Sequence, residues 1–270
     1  MAAEPPPPRE QDAATADSIL FTTASGSFRL RRFPARKREP LLAWCGADTL
    51  LAEAACARDE SADATLVVND AHGALSVALE PRAVWTDSTL SAQAIAQNAA
   101  RNLLPVPQIL ASMMSPPADV RLIVLRIPRQ LPYLRYQLSV LAGRVAAGTT
   151  LLAAGMDKHL SPHTAAVIES LFGPVQRHPG RLKARLFVST LPEQGTPAGL
   201  EYADGFYCEA LDANLVTLPN VFSPAALDNG SRLLIDNLPR LEPASRTIDL
   251  ACGSGVIGLS AYRAGVTGNL

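Results

Sequence analysis

No apolar run in these 270 residues reaches the roughly 18 to 20 that a membrane-spanning helix needs. The N-terminus carries PPPPRE where a signal peptide would place its apolar segment. A cytoplasmic protein is therefore the expectation. The four cysteines, Cys45, Cys56, Cys208 and Cys252, form no C-x-x-C pair and lie far apart, which excludes the usual zinc and disulfide frameworks. The four histidines, His72, His159, His163 and His178, have no spacing that converges on a metal. Net charge is almost absent as well, at −1.

That small net charge hides a segregation. Six basic residues and no acid lie between Phe28 and Arg38, and ten basic residues face only Asp157 and Glu169 between Arg121 and Arg185. Between Gly46 and Leu90 eight acids face two arginines. Such an asymmetry can give a neutral protein a basic face for a polyanion. On charge alone, solvated surface side chains are the simpler account.

With 48% hydrophobic residues, the chain can bury the core of one large or two ordinary domains. Residues 1–17 are too rich in Pro, Ala and polar residues to order themselves, and are expected to form a disordered tail. From FRLRRF onward the pattern alternates. TLVVND, AVWTD, VRLIVLRIP, TTLLAAG and RLKARLFVST read as strands. PLLAWCGADTLLAEAACA, GALSVALE, LSAQAIAQNAARNLL, LPYLRYQLSVLAGRVA and SPHTAAVIESLFG read as helices. This alternation predicts an α/β domain over 18–195 with a mostly parallel sheet covered on both faces. A Gly/Pro seam at LPEQGTPAGL begins a second α/β unit, 196–270. There EYADGFYCEALD predicts a hairpin around Asp204-Gly205, DNGSRLLIDNLP a helix capped by Asp228, and RTIDL a strand.

IDLACGSGVIGLS then reads as strand, glycine turn and helix. The G-x-G-x-x-G spacing of Gly253, Gly255 and Gly258 is shared by several cofactor classes. Asp249 sharpens it. In a dinucleotide site the acid lies about 20 residues after the glycines, whereas Asp249 precedes them at the end of the strand. A carboxylate there can face the ammonium of an amino-acid moiety, which S-adenosylmethionine carries. The glycines let such a ligand approach the backbone. The candidate cofactor-binding residues are Phe222, Asp249, Ala251, Cys252, Gly253, Ser254 and Gly255. Cys252 has no cationic neighbour in sequence to make it a nucleophile, so packing is its expected role.

NVFSPAALDNGSRLLIDNLP followed by IDLACGSGVIGL resembles the approach to the cofactor motif in the ribosomal RNA guanine-N2 methyltransferases of the RsmC and RlmG type. FRLRRFPARKREPLLAW, TLVVNDAHGALSVAL and RIPRQLPYLRYQL resemble the N-terminal domain of the large-subunit, RlmG-like member. The resemblance covers most of residues 27–262. It implies tandem Rossmann-like methyltransferase folds and an S-adenosylmethionine cofactor. It also implies 23S ribosomal RNA as the partner, methylated on the exocyclic N2 of a guanine. Ala251 stands where the family usually has glycine.

The family's N-P-P-[FY] loop, whose Asn side chain and Pro carbonyl orient the target amine, has no counterpart in these residues. The expectation is a truncated C-terminal copy, a chain inactive alone and no catalytic residue to assign. The N-terminal copy is expected to be degenerate. With Gly73 laid on Gly253, Asn69 replaces Asp249 and Leu75 fills the space of Gly255. Asp87 ends the next strand, Asn98 and Asn102 lie on the following helix, and IPRQ, Ile127 to Gln130, takes the catalytic loop's position. Its basic excess would hold rRNA phosphates. A stand-alone RNA-binding module without catalysis is the alternative, and an NAD-dependent enzyme a distant third.

Overall fold

The computed structural model describes residues 20–36, 39–111, 113–193 and 204–269. The predicted tail and most of the Gly/Pro seam lie outside them. The chain divides into two compact units, 1–199 and 200–270.

In the first unit β1 (Leu20–Thr23) and β2 (Gly26–Arg29) form an antiparallel hairpin. A seven-stranded sheet follows, with β3 (Thr65–Val68), β4 (Ala83–Trp85), β5 (Gln108–Leu110), β6 (Leu122–Arg126), β7 (Thr150–Met156), β8 (Val175–Arg177) and β9 (Ala184–Thr190). Its order is β5-β4-β3-β6-β7-β9-β8. Strands β3 to β7 are parallel, and β9 runs antiparallel to both neighbours. The helices are α1 (Gly46–Cys56), α2 (Ala74–Leu79), α3 (Thr89–Arg101), α4 (Leu131–Ala142) and α5 (Thr164–Leu171).

Successive strand residues point to opposite faces, and here both faces are apolar. Leu66, Val68, Trp85, Ile123 and Leu125 pack against Leu134, Leu138 and Leu141 of α4 and Ile168 of α5. Val67, Val84, Val124 and Leu152 pack against Leu50 and Leu51 of α1, Leu75 of α2 and Ile95 of α3. Each fully buried Leu or Ile contributes about 2 kcal/mol. Strand order reverses between β3 and β6, and the crevice beyond their carboxyl ends is where open α/β sheets bind ligands.

The second unit contains the antiparallel pair β10 (Asp204–Cys208) and β11 (Ala213–Thr217), then α6 (Asn229–Asn237) and α7 (Val256–Arg263). Asp228 caps α6, its carboxylate accepting from the N–H groups of Gly230 and Ser231 at 3.0 and 3.1 Å. Cys208, Leu211 and Val256 form one small core, and Leu238, Ala261 and Val266 another.

Two expectations fail in this unit. The hairpin does not turn at Asp204-Gly205. Gly205 lies within β10, where a Cβ would meet the Leu215 carbonyl oxygen at 2.6 Å. The turn comes at Glu209–Leu211 and Asp212, the latter at φ +45°. RTIDL is not a strand either. Ala244 forms an isolated bridge with Thr267, and the Thr247 N–H donates to Asn269 at 3.1 Å. No described strand flanks Ile248 and Leu250, which are 87% and 89% exposed.

Candidate functional site

The sequence motif folds into a turn of left-handed residues. Ala251, Gly253 and Gly255 have φ of +61°, +57° and +76°, conformations that glycine adopts without steric cost. The Gly255 N–H closes the turn on the Cys252 carbonyl at 2.8 Å, and Gly255 caps α7. A Cβ on Gly253 would meet nothing nearer than 4.0 Å, so the backbone here is open to a ligand. Ala251, Cys252 and Gly253 are exposed, and Ser254 and Gly255 half-buried. Asp249 is half-buried, and its Oδ2 accepts the Gly258 N–H at 2.9 Å. One carboxylate oxygen thus anchors the helix. Phe222 is 75% exposed, and among the described residues no ring contact or hydrogen bond joins it to this turn.

The first unit has a comparable turn after β3, left-handed at two positions where the second turn has three. Gly73 caps α2 at φ +86°, and Asn69, four residues earlier, has φ +62°. Gly255 and Ala251 stand in the same relation. By backbone conformation Gly73 therefore corresponds to Gly255, two residues from the overlay read in the sequence. Val67 then stands at the position of Asp249, and Ser76 at that of Gly258.

In this register Leu75 is not what fills the turn, because it faces the sheet as a fully buried core residue. Asp70 fills it. Its Oδ1 accepts the Gly73 N–H at 2.8 Å, while Oδ2 accepts the Ser76 N–H at 2.8 Å and the Ser76 hydroxyl at 2.7 Å. Asp70 is 1% exposed. Burial, then the Asp48 charge, raises its pKa, and the Ser76 and Gly73 hydrogen bonds oppose that rise. A carboxylate thus binds the N–H at the Ser76 position in one turn and at the Gly258 position in the other, from different places in the sequence.

The rest of this crevice is also occupied. Asn69 and Gln137 form a reciprocal amide pair at 2.8 and 2.9 Å, and the Asn69 amide also donates to the Arg126 carbonyl at 2.9 Å. A Cβ on Gly73 would meet Ile95 Cα at 3.0 Å. Arg126 makes an ion pair with the buried Asp48 and donates to Cys45 Sγ at 3.2 Å. Despite burial, the Asp48 charge keeps its pKa above the usual arginine range. Asp87 lies beside Tyr133, whose hydroxyl pKa is raised by burial first and then by the Asp87 charge. Gln130 caps α4, and Arg129 is exposed. An open depression of about 340 Å³, lined by Trp44, Cys45, Leu182 and Lys183 among others, includes no residue of the Asn69–Gly73 turn.

Sequence reasoning missed Asp70, Gln137 and the Asp48–Arg126 pair. The first left a trace, since an acid three residues before a helix-capping glycine can take its N–H groups.

Two family models match the chain, the RLMG N-terminal domain over residues 18–193 and the methyltransferase small domain over 212–268. A curated relative, ribosomal RNA large subunit methyltransferase G of Streptomyces griseus subsp. griseus, is 35% identical over 256 residues, covering 89% of this chain and 66% of the relative. The protein of the same name from Pseudoalteromonas translucida is 34% identical over 242 residues, covering 87% and 63%. The chain therefore spans a little under two thirds of the length of these relatives. Among solved structures, the T. thermophilus 16S rRNA N2 methyltransferase RsmC, in complex with AdoMet and guanosine, has a TM-score of 0.63. It is 20% identical and covers 91% of this chain and 66% of that one. That likeness shows a methyltransferase fold.

Proposed function

This chain belongs to the ribosomal RNA large subunit methyltransferase G family, and from that premise we propose that it serves S-adenosylmethionine-dependent methylation of 23S ribosomal RNA, at the exocyclic N2 of a guanine. The two units divide the work. The first is a degenerate copy of the methyltransferase fold that holds RNA, and the second carries the start of the cofactor site.

The contrast between the two turns carries this reading. Asp70 occupies the Asn69–Gly73 turn from within, whereas the backbone around Gly253 and Gly255 is open. Asp249, Ala251, Cys252, Gly253, Ser254 and Gly255 would hold the cofactor, with Phe222 on the approach to it. The cofactor supplies a methyl group activated by a sulfonium centre. Asp249 holds α7 against the turn through Gly258 and offers negative charge to an ammonium group. The exposed basic residues of the first unit, including Arg129, Arg135, Lys158 and Lys183, would take RNA phosphates, contacts that position without reading sequence.

No Asn-Pro-Pro occurs in the 270 residues, so the amine-orienting loop that the resemblance implies has no counterpart in them. We therefore expect no turnover by this chain alone. The test uses tritiated S-adenosylmethionine and 23S rRNA. The 270-residue chain should incorporate no label, and a chimera extended with the remaining third of the Streptomyces griseus relative should label guanine N2. Labelling of another atom or base by the chimera would refute the assigned reaction. Labelling by the unextended chain would refute the missing-loop argument.

A further inference from the structure

We propose that Arg29, Arg31 and Arg101 form a phosphate clamp for the RNA backbone, built onto one face of the first unit by two asparagines of α3. The clamp rests on the reading of this unit as an RNA holder and gives that reading a specific site.

Its construction begins with Asn98, which is fully buried. The Asn98 side-chain amide donates to the Arg31 carbonyl at 2.8 Å and the His72 carbonyl at 2.7 Å, and its Oδ1 accepts the Arg31 N–H at 3.0 Å. One turn along the helix, Asn102 Oδ1 accepts the Arg29 N–H at 2.8 Å, and its amide donates to the Arg29 carbonyl at 2.9 Å. Residues four apart on a helix share a face, so the pair reads two alternate residues of an extended segment. The intervening Leu30 is fully buried, and the side chains of Arg29 and Arg31 are exposed. Both arginines are thereby fixed through their backbone.

The same Asn98 oxygen accepts Arg101 Nη1 at 2.6 Å, which holds a third guanidinium on this face. Burial and then the Arg31 charge lower the Arg101 pKa, so the two cations work against each other. No carboxylate among the described residues pairs with Arg29, Arg31 or Arg101. The sequence has no Asp or Glu between Asp17 and Glu39, nor between Asp87 and Asp119. Like charges held by a buried amide, with acids excluded from both contributing segments, suit an anion that takes several N–H donors at once. A phosphodiester accepts guanidinium donors in that way.

The experiment measures binding of a 23S rRNA fragment by fluorescence anisotropy, at several salt concentrations between about 50 and 200 mM. The chain is compared with the triple variant Arg29→Gln, Arg31→Gln, Arg101→Gln. Each lost phosphate contact should flatten the slope of log affinity against log salt by about 0.7 for single-stranded RNA. The triple variant should therefore lose about 2.1 of the slope and bind about tenfold or more weakly at low salt. Arg58→Gln, which breaks only the pair with Glu60, should leave the slope unchanged. If the triple variant does not fold, Arg29→Gln and Arg31→Gln singly should each give about 0.7.

A folded triple variant with the original slope and affinity overturns the clamp and leaves the RNA-holding reading intact. Absence of salt-sensitive RNA binding by the unaltered chain overturns both.

Discussion

Asp70 costs the first unit a buried carboxylate and returns four hydrogen bonds to a helix start, from the His72, Gly73 and Ser76 N–H groups and the Ser76 hydroxyl. Asp70→Ala would leave the Gly73 and Ser76 N–H groups and the Ser76 hydroxyl without their acceptor. Each buried orphan costs about 1–3 kcal/mol, while removing the desolvated charge gives part of that back. The expected net loss is about 2 kcal/mol, read as a lower urea midpoint. An unchanged midpoint would mean that Asp70 does not hold the turn. His72, in the same turn, has its pKa lowered by burial and then by Arg32, with Arg126 acting in the same direction and Asp48 and Glu39 opposing. Its folded pKa lies below the unfolded value, so the unfolded chain binds the proton more readily. The associated stability is present above about pH 6.5 and is lost as pH falls from there. His72→Gln should flatten the change in urea midpoint between pH 7.5 and 5.5, and an identical pH dependence in the variant would contradict this. The role of His72 was not legible in the sequence, and that of Asp70 left only the trace of an acid three residues before a glycine. The Gly253 and Gly255 spacing marks a turn by itself, but whether an acid fills a turn or lines it depends on where the backbone aims it. Register by glycine alone misplaced Asn69 by two residues.

At the scale of elements, legibility followed length and periodicity. Helices α3 and α4 and strands β6 and β7 are long enough to repeat their apolar pattern, and they stand where the sequence puts them. Strands β5 and β8, QIL and VQR, are three residues each at the sheet's two edges, too short to show alternation. RTIDL carries strand-forming residues without a described partner, and backbone pairing, more than propensity, makes a strand. Gly205 read as a turn glycine and is instead a close cross-strand contact. Helix α3 also carries a misfit at its end. Leu103 is left-handed at φ +58° and 94% exposed, just after the cap residue Asn102. Glycine is the usual residue there. Leu103→Gly should stabilise the fold by about 0.5–1 kcal/mol, the relief of the left-handed strain less the added freedom of the unfolded chain. A lower thermal midpoint would show that the leucine makes a contact worth more than its strain.

At the scale of the whole molecule, the first unit has the sheet order of a methyltransferase with its switch-point crevice taken up by its own side chains. The second presents an open glycine turn. Family membership was legible because whole segments, not single motifs, carried the resemblance. The closure of the first crevice was not, because it depends on Asn69 meeting Gln137 across 68 positions. The division of labour proposed from this contrast assigns RNA to the first unit. Its most direct test is photocrosslinking of a 23S rRNA fragment to the 270-residue chain, with the attached peptides identified by mass spectrometry. The account predicts crosslinks around Arg29–Arg36, Arg101 and the basic stretch between Arg121 and Arg185. Crosslinks confined to residues 204–269 would contradict it.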